Sequence, residues 1–337
     1  MSGIILAVLA GLMLGLYALP EKFTKGFHFE NTWGLFFMLT MFLVPSISSM
    51  IMLDDFWGLL GQVQKTTLFK MGGAAILWGI GVMLWGKAIN HIGLSLGFSL
   101  FIGTIIMVGS LLPWVLNGIP ESSEQVTFIS LGLIAVLLGI FCNGMAGLRK
   151  EKDLQDSELG ENKTGSVTTG ILIAVLGGLL ATGFNFALIV GGDELKQVLV
   201  SSGNPVEYSG ILQMFPIFIS GGIVIAIYFV AELSRKKTWG SFRSSNFARN
   251  FLLIAIMAIF HYVASAMYGT ARSLMGDAAD TTGYSIFNAT SVGIAIISGI
   301  LAGEWKNTSS KAKGFLYGSL AFMIAGIIII AYGNGIS

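Results

Sequence analysis

The chain contains ten runs of mainly apolar residues, most of them about twenty residues long, and this pattern constrains its fold more than any other feature. The hydrocarbon core of a bilayer is about 30 Å thick and takes roughly 20 residues of α-helix. Without water to bond exposed peptide groups, a crossing segment must satisfy its own backbone, which a helix does. The runs lie near 3–19, 33–52, 69–88, 92–112, 126–148, 167–190, 208–232, 247–269, 281–303 and 313–333. They predict an all-α membrane protein with ten transmembrane helices. Only 11% of the 337 residues are charged and 54% are hydrophobic, whereas a soluble domain carries about 25% charged residues. Membrane lipid is therefore an expected partner over most of the surface. The first run has no basic segment before it and has a counterpart later in the chain, so it is expected to be retained rather than cleaved as a signal peptide.

Basic residues set the orientation. Fifteen Lys and Arg fall in odd-numbered loops, among them Lys22, Lys25, Arg149, Lys150, Arg235, Lys236 and Lys237, and only Lys65, Lys70, Lys196 and Arg272 fall in even-numbered ones. Basic loops stay on the cytoplasmic side, so both termini are expected outside. The longest polar stretch, from Arg149 to Ser166, mixes both signs and reads as a cytoplasmic linker over 149–166. It separates a first five-helix half, 1–148, from a second, 167–337.

The halves carry a trace of duplication. A shift of 167 positions lays Gly3–Leu12 over Gly170–Leu179 with seven of ten residues identical, and a shift of 190 lays Gly93, Ser95, Gly103 and Gly109 over Gly283, Ser285, Gly293 and Gly299. The matching spans are five apart, an odd number, so the halves form an inverted 5+5 repeat. That arrangement lets two oppositely oriented halves exchange conformations and open a central site to each side in turn, as secondary transporters do.

The stretch from Trp78 to Leu112 predicts a tight helical hairpin, with a bare turn at Lys87–His91 and small residues on both arms. Small residues let helix backbones approach closely in lipid. Ser95 and Ser99 place hydroxyls one turn apart. Trp78 and Trp85 share a face, where indole rings either stack on the apolar face of a sugar or, at a span end, anchor to the interface.

Polar groups within spans are costly, so each is a candidate for function. His261, Ser265, Tyr268 and Arg272 follow one another at spacings of four, three and four, which is one helical face. His261 titrates near neutrality and is either a proton carrier or a neutral ring bonded to a neighbouring helix. Asn288 and Ser291 share a face of the ninth span with Tyr284, and Thr182 and Asn185 share one on the sixth. These groups serve a hydroxylated solute or simply bind helices to one another. Glu304, at the inner end of the ninth span, is either a second proton group or the partner of a loop lysine.

Enzyme chemistry is not expected. Gly93-Leu-Ser95-Leu-Gly97 fits a nucleophile-elbow spacing, but it opens an apolar helix instead of a strand-to-helix turn. No cofactor motif occurs, and the single Cys142 excludes a disulfide or a cysteine metal site within the chain. A net charge of +1 gives no footprint for nucleic acid.

Several segments resemble a known family: Trp78-Gly-Ile-Gly, Trp85-Gly86, Gly93-Leu-Ser-Leu-Gly, Tyr17 with the basic turn after it, Glu30-Asn-Thr-Trp33, and Gly303-Glu304-Trp305-Lys-Asn307. They are similar to the L-rhamnose-proton symporter family of the drug/metabolite transporter superfamily. The resemblance runs through both halves and implies a bacterial inner-membrane permease that imports a sugar with a proton. Two other functions stay open: an exporter of small metabolites, and a membrane receptor or scaffold that binds sugar without moving it.

Overall fold

The structure is a computed structural model that describes residues 2–155, 166–276 and 279–335. Every assigned element among them is helical, and ten helices are long and apolar enough to cross a bilayer: α1 (Ser2–Phe23), α2 (Phe29–Met52), α3 (Lys65–Ile89), α4 (Leu96–Leu116), α5 (Ser123–Asp153), α6 (Val167–Ser201), α7 (Val206–Lys236), α8 (Phe247–Met275), α9 (Ala279–Leu301) and α10 (Ser310–Gly333). The chain is a multi-pass membrane protein. Most of the predicted linker, 156–165, lies outside the described residues.

Local sequence accounts for the departures from ten simple rods. At the end of α1 the chain tightens into a 3-10 turn over Leu19–Phe23 with Pro20 in its first turn, where a missing N–H costs nothing. Within α6 the helix is interrupted at Thr182, whose hydroxyl bonds the Leu179 carbonyl at 2.6 Å.

The predicted hairpin forms, but without a bare turn. The backbone keeps helical geometry from Lys65 to Asn117, including Lys87–His91, because Lys, Ala, Ile, Asn and His contain no helix breaker. Yet the Trp85 and Phe101 rings stack with centroids 5.7 Å apart, and a Cβ on Gly97 would lie 3.7 Å from Ile89. A straight helix would hold Trp85 and Phe101 about 24 Å apart. The chain therefore doubles back between Ile89 and Gly97.

The residues form two compact units. Unit one is Met1–Ile80 with Gly183–Leu274, and unit two is Gly81–Thr182 with Met275–Ser337. In unit one α3 meets α7 where Gly79 faces Gly221, and a Cβ on Gly79 would stand 2.6 Å from the Gly221 carbonyl oxygen. In unit two α3 meets α6 where Gly81 faces Gly177, at 2.5 Å from its carbonyl oxygen. The Trp-Gly-Ile-Gly motif thus serves two different helix crossings with its two glycines. Ala88, Ile92 and Ala174 make a small apolar core in unit two. There α5 and α10 also pack closely through Gly132 and Gly326.

Candidate functional site

In unit one the polar face of α8 turns inward. Tyr268 is fully buried and donates its hydroxyl to Asn185 Oδ1 on α6 at 3.2 Å. One turn on, buried Arg272 holds Asp193 of α6 at 3.0 Å. Ser265 bonds back to the His261 carbonyl at 3.0 Å. Ring contacts extend this face: Trp78 lies against Phe184 at 5.3 Å and Phe218 at 5.5 Å, Phe184 against Tyr268 at 6.3 Å, and Phe218 against His261 at 5.7 Å. Four of the sequence-predicted residues, Trp78, Asn185, Tyr268 and His261, are thereby joined in one continuous cluster.

His261 occupies a mixed environment. The rings of Tyr17 and Phe36 lie 5.1 and 5.4 Å from it, and its Nδ1 is 3.1 Å from the Thr40 hydroxyl, which also lies 3.2 Å from the Ala258 carbonyl. Thr40 has one hydroxyl hydrogen for two acceptors. A hydrogen on Nδ1, in the neutral or the charged ring, makes His261 the donor and releases that of Thr40 to Ala258, so the placement of the ring hydrogen is coupled to a bond between α2 and α8.

Unit two holds the remaining candidates in several places. The Trp85 ring stacks on Phe101, and its Nε1 is buried with no hydrogen-bond partner among the described residues. Ser99 is buried in the same condition, but it opens onto a groove of about 250 Å³ with Gly103, Thr104 and Gly144, away from the indole. A buried donor without a partner is unusual. The side chain of Ser95 lies outside the described residues. Thr182 is occupied by its own helix. On α9 the Asn288 amide donates to the Tyr284 carbonyl at 2.9 Å and Ser291 to the Asn288 carbonyl at 2.8 Å, which leaves Asn288 Oδ1 as an acceptor for other groups. Glu304 lies 3.6 Å from Lys150, and that ammonium sits 4.7 Å over the Trp305 ring.

Three polar residues escape a reading of the sequence. Gln213 of α7 is fully buried and donates to the Gly192 carbonyl at 3.0 Å and to Ser273 Oγ at 2.9 Å, which ties α6, α7 and α8 together. Its only signal is a glutamine in an apolar run. Gln213→Met, of similar shape, should lower stability by about 2 kcal/mol because it withdraws donors from two buried acceptors; thermal unfolding of the purified protein checks it. Asp280 is a carboxylate only 2% exposed at the start of α9, one residue before the apolar run as read from the sequence. Glu21 accepts from Trp33 Nε1 at 2.7 Å. Among the described residues no cluster of His, Cys, Asp and Glu is placed to hold a metal ion.

Ten apolar helices that turn imidazole, amide and hydroxyl groups inward define a multi-pass carrier of a polar solute. The chain belongs to the L-rhamnose-proton symport protein family, whose sequence profile matches residues 1–336. A Citrobacter koseri protein described as an L-rhamnose-proton symporter is 24% identical over 321 residues, covering 92% of this chain and 91% of the relative. A Salmonella newport protein of the same description is 24% identical over 323 residues, with coverage of 92% and 91%. One solved crystal structure of a protein shares the fold, with a TM-score of 0.59, 12% identity and 98% of each chain covered. Membership of a symporter family makes this chain a transporter and not an enzyme.

Proposed function

We propose that the chain imports L-rhamnose, or a closely related monosaccharide, together with a proton by alternating access. The observation that carries this reading is the family match over residues 1–336, which leaves no half of the chain to another activity. The two sequence halves, 1–148 and 167–337, act as inverted repeats joined by a cytoplasmic linker, with both termini on the outer side of the bacterial inner membrane. Trp78, Trp85, Ser95, Ser99, Thr182, Asn185, Tyr268, Asn288 and Ser291 are the residues assigned to the sugar. Aromatic faces cover its apolar side, and amide and hydroxyl groups match its hydroxyls.

His261 and Glu304 are the proton groups. His261 has the stronger support, since it sits within a span and its ring nitrogen meets the Thr40 hydroxyl of the neighbouring helix α2. Glu304 already has a cationic partner in Lys150. Labelled L-rhamnose uptake by cells producing the chain should collapse when a protonophore dissipates the proton gradient. Uptake that persists at the same level under the protonophore contradicts symport.

A further inference from the structure

We infer that Glu21 is the exit of the proton path, receiving the proton that His261 carries and releasing it to water at the loop after α1. The inference rests on the symport reading above and adds a residue to it. Glu21 lies in the 3-10 turn Leu19–Phe23 and is half-buried, while Lys22, Phe23, Lys25 and Gly26 beside it are exposed, which places it at the border between α1 and water. Its carboxylate accepts a hydrogen bond from the Trp33 indole at 2.7 Å. Tyr17 stands four residues earlier, one helical turn back from Glu21. The Tyr17 ring in turn packs edge-on to Trp33 at 6.2 Å, on Phe36 at 5.4 Å, and on His261 at 5.1 Å. A titratable ring within a span and a carboxylate at the span's edge therefore border the same aromatic layer, with the rings of Tyr17 and Trp33 between them in the order of contacts.

The chemistry of the partners favours proton exchange over a fixed charge pair. Glu30, nine residues on and 3% exposed, binds the Lys236 ammonium at 3.0 Å, and Asp193 binds Arg272. The hydrogen bond to Glu21 comes instead from a neutral indole. The charged and titratable groups around Glu21 are exposed Lys22 beside it, Tyr17 one turn back and, across the aromatic layer, His261 of α8; α2 presents the indole of Trp33. Over the transfer the His261 imidazolium loses an N–H proton and the Glu21 carboxylate gains one to become a carboxylic acid. Release to water restores the carboxylate, and no redox step is involved.

The test uses the full chain in proteoliposomes. Sugar-for-sugar exchange at equal pH needs no net proton movement, whereas accumulation driven by a pH gradient does. Glu21→Gln should keep exchange near the wild-type rate and lose gradient-driven accumulation, and Glu21→Asp should recover accumulation with a displaced pH profile. Two results overturn the inference: Glu21→Gln accumulating with the wild-type pH profile, or Glu21→Gln losing exchange and accumulation in parallel. A wild-type chain that accumulates no sugar under the gradient overturns the symport reading instead, and with it this inference.

Discussion

Replacing His261 by glutamine should abolish proton-driven accumulation of the sugar and leave exchange of internal for external sugar intact. Glutamine can still bond Thr40 and fill much of the ring's place among Tyr17, Phe36 and Phe218, but it does not titrate. With one proton per sugar, each pH unit across the membrane is worth about 1.4 kcal/mol and sustains about a tenfold accumulation. The variant should bring this ratio close to one. His261→Ala should likewise uncouple uptake from pH, at some additional loss of packing. The measurement is the accumulation ratio against imposed pH gradient, with exchange as the control for folding. An unchanged pH dependence in both variants removes His261 from the mechanism.

The second large effect is structural. Gly81→Leu should prevent α3 from seating against α6 in unit two, since a Cβ there would lie 2.5 Å from the Gly177 carbonyl oxygen and 2.6 Å from the Ala181 amide nitrogen. Both obstacles are backbone, so no side chain can swing aside and the helices must part. Overpacking of a filled core costs about 1–3 kcal/mol, and the upper end or beyond is expected here. Gly86, five residues along the same helix, has nothing within 4 Å of its would-be Cβ. Gly86→Ala should therefore be neutral, or stabilising by up to about 1 kcal/mol through helix propensity. Yield and thermal unfolding of the two purified variants separate these outcomes. Equal stability of Gly81→Leu and Gly86→Ala would refute the close crossing.

What the sequence reveals about this chain is mostly what a single helix can encode. The ten spans are legible because length and apolar content are local properties. The α8 face is legible because spacings of four, three and four determine which side chains share a side, and the structure turns those side chains toward α2 and α6. The hairpin is legible from its small residues, while the helical geometry of its turn is not. Partnerships are the part that stays hidden. Nothing near Trp78 announces Phe184 and Phe218, which come from helices more than a hundred residues away. Glu21 follows a proline just past the apolar run, and only the fold brings Trp33 onto its carboxylate. Gln213 is one polar residue among apolar neighbours until α6 and α8 supply its acceptors.

The decisive measurement is uptake of labelled L-rhamnose into sealed proteoliposomes under an inwardly directed proton gradient, with external pH recorded in a weakly buffered medium. Proton symport gives accumulation of about tenfold per pH unit for one proton per sugar, with simultaneous alkalinisation outside. Folded and inserted protein that gives neither uptake nor a pH change would contradict it.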